Sequence, residues 1–155
     1  MALYQGQWSV SAPCRIGIII SRFNQRISDA LLQGAIETLM RLGMKQDDID
    51  VIWVPGAFEV PGTACRVLTS YDAVITLGAI IRGETPHFDY VASTTAQGVA
   101  QLAHNGATPV IFGILTCNTT EEAEARSGGK SGNKGSDAAL TAIEMITLYR
   151  QLSGA

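Results

Sequence analysis

The chain is short of charge, of histidine and of cysteine, and each scarcity narrows what it can do. Charged side chains make up 16% of its 155 residues, against about 25% in an average soluble protein. Fourteen acidic and 11 basic groups leave a formal net charge of −3, so no general attraction to nucleic acid or anionic lipid is expected. The only histidines are His87 and His104, and neither has a second ligand at a spacing such as HxxxH. Metal chemistry is disfavoured and no metal is expected. Cys14, Cys65 and Cys117 lie about fifty residues apart, a spacing that suits neither a CxxC knuckle nor a disulfide framework, and buried free thiols are expected. No apolar run reaches the ~18 residues of a membrane span, and Met1 to Trp8 has no basic region followed by an apolar core. A soluble cytoplasmic protein is expected.

A length of 155 residues and 46% apolar content suit a single domain over 1–155. Four apolar runs recur, Arg15 to Ile20, Ile49 to Val54, Ala73 to Gly78 and Pro109 to Leu115. They are rich in β-branched residues and nearly continuous, as strands covered on both faces should be. Between them Ile27, Leu31, Ala35, Leu39 and Leu42 follow helical spacing, with Gly43 placed to close the helix. Pro61 to Ser70 and Phe88 to Asn105 fill the next gaps. A short helix near Thr119 to Arg126, a glycine-rich loop from Ser127 to Gly135 and a last helix from about Ser136 to Leu152 complete the chain. Strand alternating with helix predicts a four-stranded parallel sheet in a three-layer α/β/α sandwich, preceded by a short extended N-terminal segment. From Val91 to Thr120 no Asp, Glu, Lys or Arg occurs in 30 residues, so the helix there is expected to meet another subunit or a polar channel.

Ligands of an open parallel sheet bind outside the carboxyl ends of its strands, and the loops expected there hold nearly all of the unusual residues. Phe23 and Phe58 are loop aromatics able to sandwich a planar heterocycle, although core packing is the other reading. Glu59 stands between Pro55 and Pro61 on a stiff turn. His87 follows Thr85-Pro86, where an imidazole titrating near neutrality can move protons. The run Gly129-Lys130-Ser131 imitates the end of a P-loop, but Glu124 occupies the place of that motif's first glycine and the preceding segment reads as helix.

Six segments in order resemble the 6,7-dimethyl-8-ribityllumazine synthase family: Ser21-Arg-Phe-Asn24, Pro55-Gly-Ala-Phe-Glu59, Ile81-Arg-Gly-Glu-Thr-Pro-His87, Phe112-Gly-Ile-Leu-Thr116, Glu124-Ala-Arg126 and Gly132-Asn-Lys-Gly135. The resemblance implies a flavodoxin-like subunit that joins 5-amino-6-(D-ribitylamino)uracil to 3,4-dihydroxy-2-butanone 4-phosphate without metal or cofactor, releasing phosphate and water. It places Phe23, with Asn24 in the same motif, on the pyrimidine. Ala57, Phe58 and Glu59 with Ala79, Ile80 and Ile81 bind the uracil and ribityl chain, and Phe112 completes that pocket from a neighbouring subunit. Glu84, Thr85 and Arg126 fall at the phosphate. His87 falls at the proton-transfer position, with Asp137 to orient it and Lys134 close by.

The resemblance also implies a homopentamer and, since shell-forming members of the family share a short loop such as Ser127 to Gly132, an icosahedral shell of pentamers, with riboflavin synthase as a candidate partner. Three residues depart from the family pattern: Ala79 for a threonine, Glu84 for a small residue and Asn118 for an aspartate. A flavin- or lumazine-binding protein of this fold would need the two aromatics but not His87, Asp137 and Arg126 together.

Overall fold

The computed structural model describes residues 1–154. Its strands and helices alternate as β1 (Ile16–Ser21), α1 (Gln25–Arg41), β2 (Ile49–Val54), α2 (Val60–Val67), β3 (Ala73–Ile81), α3 (His87–Asn105), β4 (Val110–Cys117), α4 (Thr120–Arg126), a small hairpin of β5 (Ser127–Gly129) and β6 (Gly132–Asn133), and α5 (Lys134–Ser153). The four long strands form one parallel sheet in the order β2-β1-β3-β4. The expected α/β architecture is therefore present.

Alternation along the strands divides the interior in two. Ile16, Ile18 and Ile20 of β1 join Ile75 and Leu77 of β3 under α1 and α5, together with Leu31, Leu39, Ala139 and Ile143. Ile19, Val74, Ile80 and Ile114 point the other way and pack with Val60 and Ala64 of α2. The sheet is thus covered on both faces, which is why its strands read as continuous apolar runs.

Two glycines set how the helices fit. Gly43 has φ 100° and follows the end of α1, where its amide donates to Met40 O and that of Met44 to Leu39 O, both at 3.1 Å, the pair of bonds that closes a helix through a left-handed residue. Gly135, in the first turn of α5, lies so close to α1 that a Cβ there would strike the Leu31 carbonyl. Asn133 cements the crossing, accepting from the Gly135 amide at 2.8 Å and donating to Ala30 O at 3.0 Å.

Three expectations need correction. Strand β3 runs on to Ile81 because the ladder to β4 continues through Ile80↔Thr116 and Ile81↔Cys117, so Ala79, Ile80 and Ile81 are strand residues rather than loop. The glycine-rich stretch is the β5–β6 hairpin, and Lys134 and Gly135 already belong to α5. Cys14 and Cys117 are buried, but Cys65 is exposed, since α2 turns Val60 and Ala64 inward and the neighbouring position outward.

Overpacking a close backbone approach costs about 1–3 kcal/mol, and each kcal/mol moves the melting midpoint of a chain this size by roughly 2–4 °C. Gly135→Ala is expected to lower the midpoint by several degrees in a calorimetric scan. An unchanged midpoint would show that the α1–α5 crossing yields freely.

Candidate functional site

The order β2-β1-β3-β4 places the change of direction between β1 and β3. The chain goes from β1 through α1 to one edge, then returns through α2 on the other face, so the segments leaving β1 and β3 diverge and leave a crevice. A cavity of about 760 Å³ lies there, lined by Phe23 and Asn24 after β1, Ala57, Phe58 and Glu59 after β2, and the end of β3. Ala79, Ile80, Ile81, Thr85 and His87 complete its wall. Phe23 is 73% exposed and Phe58 60% exposed; neither is a core residue, so the packing alternative for both is removed.

The backbone around the cavity is held by short, specific bonds. Asn24 takes the left-handed conformation (φ 60°, ψ 50°) at the start of α1, which asparagine tolerates better than most residues. Its Nδ2 donates to Ala79 O at 3.0 Å, joining the β1 loop to β3. The Phe23 amide donates to Pro55 O at 3.1 Å, which ties the β1 loop to the turn after β2. Glu59 Oε2 accepts from the Gly56 amide at 3.0 Å, so this carboxylate holds its own 3-10 turn, Ala57–Glu59. Thr85 and His87 sit on the connection to α3, of which His87 is the first residue. Glu84 is exposed beside them and does not line the cavity.

The remaining sequence-predicted residues gather elsewhere. Phe112, Arg126, Lys134 and Asp137 line a second cavity of about 400 Å³ beyond β4, on the edge of the sheet away from β2. Within one chain, then, His87 and Asp137 open into different cavities. The helix carrying Arg126 is capped by Thr119, whose Oγ1 accepts from the Glu122 amide at 3.2 Å. Arg126 Nη1 donates to the Glu122 carbonyl at 3.0 Å, while the Glu122 carboxylate accepts from the Asn118 amide at 2.8 Å. The arginine makes no ion pair with Glu122. Burial pushes the Cys117 thiol above the ordinary value of 9.0, Arg126 draws it down and Glu122 raises it again, so Cys117 borders this cavity as a neutral thiol.

Sequence reasoning did not single out Tyr90, Val91 and Thr94, which line the first cavity from α3. A helical reading held the signal, because these positions and His87 recur at helical spacing on one face. Tyr90 is 74% exposed, a third aromatic ring open to the same space.

Asn24 has two separable functions, and its variants separate them. Asn24→Ala forfeits the hydrogen bond and forces a left-handed alanine, a combined loss of about 2 kcal/mol in denaturant unfolding. Asn24→Gly forfeits the bond alone and is expected to lose less. Equal stabilities for all three proteins would mean that the link to Ala79 contributes nothing.

A family model described as 6,7-dimethyl-8-ribityllumazine synthase matches residues 13–150, a span that takes in every strand of the sheet and every residue named above in either cavity. The chain belongs to the 6,7-dimethyl-8-ribityllumazine synthase family and is a transferase that condenses two small molecules to dimethylribityllumazine in riboflavin biosynthesis.

Proposed function

We propose that the two cavities are halves of one active site, completed when the β4 side of one protomer meets the crevice of the next. The carrying observation is that the residues needed for one reaction divide between two openings on a single chain, Phe23, Thr85 and His87 in one, Phe112, Arg126, Lys134 and Asp137 in the other. Such a contact joins two different surfaces, and gives a ring when the rotation between successive protomers closes. A homopentamer, with pentamers assembled into an icosahedral shell, is the arrangement we assign. Support comes from α3, of which only Thr95 and Val99 are fully buried in their own chain and which has no Asp, Glu, Lys or Arg from Val91 onward. Residues 1–155 act as one domain in the cytoplasm, and riboflavin synthase is the candidate partner.

In this reading Phe23 stacks on the pyrimidine of 5-amino-6-(D-ribitylamino)uracil, while the Ala57–Glu59 turn and the end of β3 hold the uracil and ribityl groups. Exposed rings over a narrow crevice suit a flat heterocycle. The 3,4-dihydroxy-2-butanone 4-phosphate lies toward Glu84 and Thr85, where Glu84 contributes its backbone and not its carboxylate. Arg126 of the adjacent protomer faces the phosphate, and its planar guanidinium offers paired donors to the anion.

The amine of the first substrate attacks the ketone of the second, and water leaves as an imine forms. A proton is then taken from the carbon beside the imine and the phosphate departs, leaving an enol that tautomerises to a ketone; the ribitylamino nitrogen closes on that carbonyl and a second water leaves as the lumazine ring forms. His87 serves both transfers, with Asp137 orienting the imidazole and Lys134 adding positive charge nearby. No metal is required at any of these steps.

Incubation of the purified protein with the two substrates should yield the lumazine. His87→Ala is expected to slow chemistry by about 10²–10⁴-fold without abolishing it, because the positioning of two substrates survives the loss of one acid–base group. Arg126→Ala should lower kcat/KM for the butanone phosphate by about 10- to 200-fold, the worth of one charge-assisted interaction, and leave pyrimidine binding nearly unchanged. Wild-type rates in the first variant, or equal losses for both substrates in the second, would remove those assignments.

Assembly is checked by light scattering at working concentration. A shell or a pentamer is expected, a lone pentamer would withdraw only the shell, and a monomer that turns over would overturn the shared site.

A further inference from the structure

We infer that Arg82, which lines neither cavity, is a positioning residue that brackets the Gly83–Pro86 connection and so fixes where Thr85 and His87 stand at the first cavity. The inference rests on the assignment of Thr85 and His87 to the reacting site. The Arg82 amide donates to Cys117 O at 2.9 Å, an extension of the ladder between β3 and β4. Its guanidinium then reaches over the start of α3, pairing with the Asp89 carboxylate at 3.1 Å and lying 4.4 Å from the centroid of the Phe88 ring. Nε donates to Asn118 Oδ1 at 3.0 Å. From the start of His87's loop, one side chain therefore reaches the residues at its far end and the turn after β4.

The ion pair contributes little stability, since its side chains are 43% and 59% exposed and pairs open to solvent are worth about 0–1 kcal/mol. What distinguishes it is what it encloses. Among the described residues, the only side-chain hydrogen bond of residues 83–86 is the local one from the His87 amide to Thr85 Oγ1, at 3.4 Å. A Cβ at Gly83 would meet nothing within 4 Å, so packing does not hold this segment either. Arg82 supplies the missing constraint: it presses Phe88 onto the core beneath α3 and holds Asp89, which fixes where the helix begins and hence where His87 stands.

The second arm of the bracket runs the other way. Asn118 accepts from Arg82, its amide donates to the Glu122 carboxylate at 2.8 Å, and the Glu122 carbonyl accepts from Arg126 at 3.0 Å. The loop of one half-site and the arginine of the other thus share one chain of polar contacts within a protomer. A guanidinium suits this place because three directed donors and a flat face are used at once; an ammonium has the charge without the fork.

The test uses the assembled protein with Arg82→Ala and Arg82→Lys. Amide hydrogen exchange should quicken at residues 83–88 in Arg82→Ala while β1 and β3 stay protected. Its kcat/KM for the butanone phosphate should fall about tenfold, as a displaced contact to a reacting group would cause, and affinity for a stable lumazine analogue should hardly change. Arg82→Lys should recover only part of that loss. Unchanged exchange overturns the bracket, faster exchange with unaltered kcat/KM overturns its role in the reaction, and equal losses for both ligands mark a general structural residue. His87→Ala in the same assay keeps the two readings apart: if it turns over normally the site assignment fails, while exchange still decides whether Arg82 braces the loop.

Discussion

Burial of β1 on both faces is the constraint from which the rest of this molecule follows. Five of its residues, Ile16, Ile18, Ile19, Ile20 and Ser21, have no exposed surface, and β2 and β3 pair with it on either side. Such a strand has little room for polar side chains, and its one hydroxyl, Ser21 Oγ, is buried without a hydrogen-bond partner among the described residues. Chemistry is therefore displaced to its carboxyl end, where Arg22, Phe23 and Asn24 emerge together. Because β1 lies at the change of direction in the sheet, that end also opens onto the crevice. The same strand that anchors both cores thus fixes the location of the substrate cavity.

A second consequence concerns what holds the cavity wall. Its aromatic rings are exposed, so packing alone does not set their positions, and backbone-directed polar bonds perform that task. Asn24 reaches Ala79, the Phe23 amide reaches Pro55, and Glu59 closes its own turn. The first two tie a loop to a strand end or to another loop, the third closes a turn on itself, and none lies within the apolar interior. Rigid strand ends and adaptable side chains between them are a suitable support for a reaction that must align two substrates before any proton moves.

Much of this was legible in the sequence, for a simple physical reason. A doubly covered sheet demands continuous apolar strands, and the helices beside it demand a stripe of apolar residues, so the positions of Ile16–Ser21, Ile49–Val54 and Gln25–Arg41 were visible as periodicities. Strand ends were less visible. The extra length of β3 depends on hydrogen bonds to β4, and nothing local to Ala79–Ile81 distinguishes a paired extended residue from an unpaired one. Cys65 was misplaced in the same way, since exposure on α2 depends on which face the helix turns to the sheet.

The sequence by itself determined the alternation of strand and helix, the scarcity of charge along α3 and the concentration of unusual residues after each strand, because these depend on side-chain chemistry and spacing within a few turns. Only the tertiary structure decided how those residues are grouped. Strand order brought Phe23, Phe58 and His87 to one crevice and sent Phe112, Arg126 and Asp137 to the far edge. Contacts between distant segments are set by the packing of the sheet and its helices, and no local spacing encodes them.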